Sequence, residues 1–394
     1  MSALRRQGRN LGRTGRNTLR KGLLAGATLG PTCQAGRLII GKTSFGTGRS
    51  ARPVGVTSRG STSTSPSIPT TGVPPLGRER GGSTGRLEAS DDDWAETAID
   101  TEPQTARAAP MRLVLSRKGF DSSAGGHDSP VLPDGRIVSL PIPGPPGPLY
   151  RELKVDDENS YADLMLRLGI NSVNHVPVSE AQAHADPDLD RSRSHRVAGW
   201  LPMFGQADAA QTHLRNQGVA EGDVFLFFGR FRHTEETGSR RLRYKGDPFH
   251  LIWGYLEVGA VIDVASAGTF EPWMLEHVHV SSRNDIGWRS NTVYVAKEVS
   301  SLGRDLPGGG TFRSYRPELR LTKTGGPLSS WRLPLALHPS RTTHALTYNP
   351  PARWAVDGLD AVVSVASRGQ EFVVDVNDGV REWLGQLQRS QPDP

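Results

Sequence analysis

The chain has 394 residues, 45 of them Gly and 29 Pro, with 47 Lys and Arg against 41 Asp and Glu, and a single cysteine. That length fits one or two domains plus an irregular segment, the lone Cys33 excludes an internal disulfide or a CxxC metal knuckle, and no apolar run is long enough to span a bilayer, so a reducing, cytoplasmic setting is expected. The formal net charge of +6 would suggest a polyanionic partner for the whole protein, but the first 110 residues hold 16 Lys and Arg against 8 Asp and Glu, leaving 31 against 33 for the rest.

Residues 1–110 are crowded with Gly, Ser, Thr, Pro and Arg and lack sustained apolar periodicity, as in "MSALRRQGRNLGRTGRN" and "GRERGGSTGRLEASDDDW". Such a segment buries too little apolar surface to offset the entropy of ordering, which predicts a disordered basic extension. Three readings fit it: an over-extended start with Met111 as the true initiator, a nucleic-acid-binding arm working by counterion release, or a transit or signal peptide around Leu23, Leu24 and Ala25. The abrupt change of texture at Met111 favours the first.

A domain is expected over residues 111–390. "MRLVLS" reads as a strand, and it runs into the loop "RKGFDSSAGGHD". A turn at Pro133, Asp134 and Gly135 precedes a second short strand, Arg136 to Leu140, and the Pro-rich "PIPGPPGPLY" forms a rigid connector. Ser160 caps a helix whose apolar stripe is Tyr161, Leu164, Met165 and Leu168 and which Gly169 stops. Ala207 to Gln217 fits a second helix, and "GDVFLFFG" a buried strand. "HLIWGYLEVGAVIDV" is β-rich and broken at Gly254 and Gly259, with further strands at "TVYVA", "LRLT", "AVVSV" and "EFVVDV". "HVHVS" reads as a strand with His277 and His279 on one face, and Val380, Trp383, Leu384 and Leu387 mark a last helix. Strands outnumber helices without regular alternation, so the expected class is α+β, a curved or barrel-like mixed sheet with a few packed helices.

"LSRKGFDSSAGGHDSPVLPDGRIVSLPIP", "AHADPDLD", "FGQADAAQTHL", "GDVFLFFGRFR", "HLIWGYL" and "SRGQEFVVD", in that order, resemble the nucleotide modification associated domain 3 family from Met111 to about Leu387. The resemblance implies association with phage or bacterial systems that modify nucleic-acid bases, and a start at Met111. It also implies nucleotide or nucleic-acid partners, DNA ahead of RNA, alongside other base-modification enzymes. The strand pattern of "GDVFLFFGRF" and "HLIWGYLEVGAVI" is similar to that of PUA-like barrels. At Ala183, where the resemblance leads one to expect a bulkier residue or Cys, no thiol chemistry is read.

The opening loop suits a phosphate or sugar edge, with Arg117 and Lys118 as cationic donors and Ser122 and Ser123 as hydroxyls, although it is no Walker loop and Asp121 could serve its own turn instead. His184, Asp186, Asp188 and Asp190 alternate, so an extended chain would turn them to one side, where a divalent metal could bind. His277 and His279 form half of a metal or phosphoester site, completed by His184 or Asp186. Gln206 is placed to read a base edge at a helix start. Phe231 and Arg232 could extend a stacking surface, whereas Phe225 and Phe227 read as core. Two function classes follow. One is a module binding a nucleotide, base or nucleic acid through Arg117, Lys118, Ser122, Ser123, Gln206 and Arg232. The other is an enzyme on a nucleotide or phosphoester substrate, metal-assisted, with Asp121, Asp186, His277 and His279 as catalytic groups. Convergence of these residues on one deep cleft favours the enzyme; a shallow basic groove favours the binding module.

Overall fold

The computed structural model describes residues 110–389 apart from 304, 367 and 368; all of the expected disordered extension except Pro110 lies outside the described residues. The strands, in chain order, are β1 (Arg112–Arg117), β2 (Ser129–Val131), β3 (Ser172–Val173), β4 (Val176–Pro177), β5 (Met203–Ala207), β6 (Val224–Glu236) and β7 (Leu242–Asp263). They continue with β8 (Asn291–Ala296), β9 (Gly309–Thr311), β10 (Ser330–Pro334), β11 (Trp354–Asp357), β12 (Asp360–Ser364) and β13 (Glu371–Asp375). The helices are α1 (Tyr161–Arg167), α2 (Asp208–Asn216), α3 (Val278–Ser281) and α4 (Asp378–Arg389). The class is α+β, with a curled, half-barrel main sheet in the order β13-β1-β6-β7-β8-β5; β2 adds to β6 and β9 to β7. A smaller antiparallel sheet runs β10-β12-β11.

The centre of the main sheet is apolar on both faces, which is why "FLFF" runs on without alternating. Phe204 of β5 lies 5.1 Å from both Phe225 and Phe227, while Phe228 meets Trp331 of β10 at 4.8 Å. Phe231 is fully buried as well. The glycines expected to break the β-rich run instead bend it. β7 continues through irregularities beside Gly254 and Gly259, pairing first with β6 and then, from Val258, with β8. Bulges of this kind raise local twist and curl a sheet. A Cβ on Gly259 would lie 2.9 Å from the Lys297 backbone, so the strands close only around glycine.

Helix α1 follows its sequence signals. The Ser160 hydroxyl accepts from the Asp163 amide, and the Asp163 carboxylate accepts from the Ser160 amide at 2.9 Å, a reciprocal cap. Its Leu164 and Met165 pack in a separate apolar cluster with Tyr150, Leu153 and Ile170. In α4 the buried residues Val380, Leu384 and Leu387 form the expected stripe. Arg136 to Leu140 makes only isolated bridges, such as Ile137 with Val131, and the strand there is β2 instead. "LRLT" is likewise limited to bridges at Arg320 and Thr322. Among the described residues, no helix is long and apolar enough to cross a membrane.

His250 joins the two sheets. Its Nδ1 accepts a hydrogen bond from Trp331 Nε1 at 2.9 Å, and its ring lies 5.4 Å from Phe228. Burial, reinforced by the Arg117 and Arg230 cations, pushes its imidazole down to about 3. A folded-state value below the unfolded one of about 6.5 means the neutral ring contributes fully above pH 6.5, and that contribution is lost as pH falls towards 3. Between pH 7 and pH 4.5 the protein should therefore lose about 2 kcal/mol more stability than His250→Gln, allowing for partial solvent access to the ring. Urea midpoints of the two proteins at both pH values test this; parallel losses would show that His250 does not carry the acid sensitivity.

Candidate functional site

At one end of the main sheet the C-terminal ends of β1 and β5 meet the N-terminal end of β13. Strand β1 pairs with β13 through Ser116 and Glu371, so Arg117 and Lys118 emerge beside Gln370. Gly205 and Gln206 lie near the end of β5, just before Ala207 leads into α2. Together with residues of the 142–144 and 184–186 loops, His279 and Trp288, these enclose a cleft of about 350 Å³.

Two of its lining side chains, Lys118 and Gln206, share a buried partner, Glu371. Lys118 Nζ lies 2.9 Å from Glu371 Oε1 and 4.6 Å from the centre of the Phe204 ring, and Gln206 Nε2 donates to the same Glu371 oxygen at 2.5 Å. Glu371 is 1 % exposed, and its other oxygen, Oε2, is buried without a hydrogen-bond partner among the described residues. The opening loop is held rigidly above. Asp121 Oδ1 accepts from the Ser123 amide and hydroxyl, both at 2.7 Å, and from the Ala124 amide at 2.8 Å. Burial alone would raise the Asp121 carboxyl, but these donors outweigh it and hold it below the ordinary carboxylate range. Asp121 is thus an ionised turn-former. Gly125, at φ +82°, carries no Cβ because the Phe120 ring would sit 2.5 Å from it.

The opposite wall holds the histidines. "EHVHVS" is not a strand: a 3-10 turn, Pro272–Glu276, leads into the short helix α3, with His277 as N-cap accepting the His279 amide through Nδ1 at 3.3 Å. Val278 and Val280 are buried, Val280 in a cluster with Met203, Met274 and Val293. Both rings still reach Asp186. Its Oδ1 accepts from the Gly205 amide at 2.7 Å and lies 3.2 Å from His277 Nε2, a contact too poorly directed to count as a hydrogen bond. Its Oδ2 faces His279 Nε2 at 3.9 Å.

Asn291 sets the tautomer of His279. Its Nδ2 donates to the His279 carbonyl at 2.8 Å, which leaves Oδ1 facing His279 Nδ1 at 2.7 Å. Nδ1 therefore carries the proton, and the Nε2 lone pair points to Asp186. Trp288 stacks on the ring at 4.5 Å and 9°. Burial pushes His279 down to about 4 and lowers His184. Burial would raise Asp186, but the contact with His277 and the neighbouring imidazoles hold it low. Neutral rings and an ionised carboxylate are the protonation states a metal ion requires of its ligands. One ligand atom from each of His184, Asp186 and His279 lies within 4.8 Å of the others.

Arg117, Lys118, Asp121, Ser123, His184, Asp186, Gln206 and His279 thus line one cleft. His277 stands behind Asp186, 1 % exposed, and borders a different cavity. Ser122 is exposed, and Arg232, on β6, donates to the Gly246 carbonyl; neither lines the cleft. The expected acidic row divides, because the chain there is not an extended strand. Asp188 is buried against Arg196 and Asp190 caps the 3-10 turn Arg191–Arg193, so only Asp186 faces the histidines. Glu371, Gly205, Asn291 and Trp288 emerge only from the structure. A larger groove of about 870 Å³ lies elsewhere; its Arg332 is paired with Asp357 and Asp360 and its Arg316 donates to the Leu387 carbonyl.

The family model for nucleotide modification associated domain 3 matches residues 112–375. No curated protein and no solved structure matches the chain.

Proposed function

The chain belongs to the nucleotide modification associated domain 3 family, and from that premise we propose that the cleft is an active site that takes one nucleotide unit, free or in a DNA strand, as part of a base-modification pathway. The observation that carries this reading is convergence: the opening loop, Gln206 and the Asp186–His279 group come from segments far apart in the chain and share one cleft. A volume of about 350 Å³ falls at the small end of ligand pockets, which run from roughly 300 to 1,000 Å³. It suits a single nucleotide better than a duplex.

Arg117 supplies a guanidinium at the rim for phosphate, beyond the bond its Nη2 makes to the Gly369 carbonyl. Trp288 offers an indole plane for a base to stack on, and Gln206, its Nε2 donating to Glu371 and its Oε1 accepting from the Ala207 amide, keeps one amide hydrogen for a ligand. The purely strand-binding reading loses its platform, because Phe225, Phe227, Phe228 and Phe231 are each at most 1 % exposed.

Thermal shifts with deoxynucleoside monophosphates, ribonucleoside monophosphates and short single strands test the proposal. Deoxynucleotides should stabilise the protein, and Arg117→Ala or Trp288→Ala should weaken binding at least tenfold, which corresponds to about 1.4 kcal/mol. If neither variant weakens binding, or if no nucleotide or strand raises the melting temperature, the cleft does not serve this role.

A further inference from the structure

We propose that His184, Asp186 and His279 hold a divalent first-row transition metal with open coordination positions facing the nucleotide cleft. The inference deepens the nucleotide reading by naming what acts in that cleft. Two imidazoles and one carboxylate meet there, and the two loops that bring them are 93 residues apart in sequence between His279 and Asp186. Imidazole and carboxylate donors without a thiolate suit Fe(II), Co(II), Mn(II) or Zn(II), and three protein ligands leave positions for water or substrate oxygen.

Three features argue for a built site over an incidental polar cluster. The Nε2 lone pair of His279 is aimed by the hydrogen bond from its Nδ1 to Asn291, the outer support that metal-bound histidines normally have. Asp186 is only 8 % exposed, one of its oxygens is held by the Gly205 amide, and the other is turned to His279. Lys118, which lines the same cleft, is already paired with Glu371, and among the described residues no lysine or arginine forms an ion pair with Asp186. An ion bound at about 2.1 Å by each ligand needs those atoms about 3 Å apart, so the three ligand atoms, within 4.8 Å of one another and 3.9 Å apart between Asp186 and His279, must draw together on binding.

The open positions would bind water and an oxygen of the nucleotide, placing a polarised water or substrate group in the cleft that Lys118 and Gln206 also line. Asn291 acts here as a positioning residue. Asn291→Leu should weaken metal binding about 10- to 100-fold, and Asn291→Asp, which keeps the acceptor for Nδ1, should restore most of it.

The test titrates Co(II), and Fe(II) without oxygen, into metal-stripped full-length protein, read by visible absorption and calorimetry with no nucleotide present. One ion per chain is expected, with Asp186→Asn and His279→Ala each binding at least 100-fold more weakly and Asp190→Asn binding as the parent does. Circular dichroism of the stripped variants separates loss of ligands from loss of fold. Absence of stoichiometric binding, or equal binding by both ligand variants, overturns the proposal. Metal binding without any nucleotide effect would overturn only the nucleotide reading, and a nucleotide effect without metal would overturn only this one.

Discussion

Asp188→Ala is expected to lower unfolding free energy by about 3–5 kcal/mol, the cost of stranding a buried charge. The Asp188 carboxylate receives both Arg196 Nη1 and Nη2, at 2.6 and 2.7 Å, and the two side chains are only 9 % and 6 % exposed. Arg196 also stacks over the Trp200 ring at 4.3 Å, so the guanidinium cannot swing into water without giving up that contact. Removing the acid leaves Arg196 with the Asp190 carbonyl as a partner and no counter-charge among the described residues. Asp190→Ala, which loses a cap on the Ser192 amide and hydroxyl and one of the two acids near Arg193, leaves Asp188 to balance that cation and should cost about 1 kcal/mol. Denaturant melts of the two variants decide the matter. Similar small losses would mean that Arg196 finds solvent when its partner is gone. Asp188 and Asp186 stand two positions apart, yet one holds the fold and the other faces the cleft. The expected division is a stability loss for Asp188→Ala against a ligand-binding loss for Asp186→Asn.

That contrast shows which parts of the molecule are legible from sequence. The α1 cap is written in Ser160 and Asp163, three residues apart, and the "FLFF" run announces a strand covered on both faces because no polar residue interrupts it. Local signals of this kind survive folding because their causes are local. "HVHVS" misleads for the same reason: over five residues, alternation of His and Val matches a strand, and only the 3-10 turn before it and the apolar bed under Val278 and Val280 turn it helical. His184, Asp186, Gln206 and the histidine pair stand out by residue type, but the triple His184, Asp186 and His279 could not be told from one that included His277, since both histidines reach the same carboxylate. Glu371 reads in sequence as one more residue of a strand. Its part in the cleft exists only because β13 pairs with β1 and places it against Lys118.

Gly205→Ala should disable the cleft while leaving most of the fold intact. A Cβ at this position would lie 2.2 Å from both Cγ and Cδ2 of His279, a separation no real contact sustains. The strand cannot withdraw: Gly205 is in register with Val293 of β8, and its amide is bound to Asp186. The ring must move instead, and it can do so only by leaving Asn291 on one side and the Trp288 stack on the other. Overpacking of this kind costs about 1–3 kcal/mol in stability, but the larger consequence is geometric, because His279 Nε2 no longer faces Asp186. Metal affinity should fall at least 100-fold, the same loss expected of His279→Ala, whereas Gly268→Ala, where a Cβ meets nothing within 4 Å, should change neither property. The imidazole resonance of His279, followed by NMR in the stripped protein, reports the displacement without any ligand. An unshifted resonance together with undiminished Co(II) binding would mean that the backbone yields to the new methyl, and that the close approach of Gly205 to His279 is no requirement of the site.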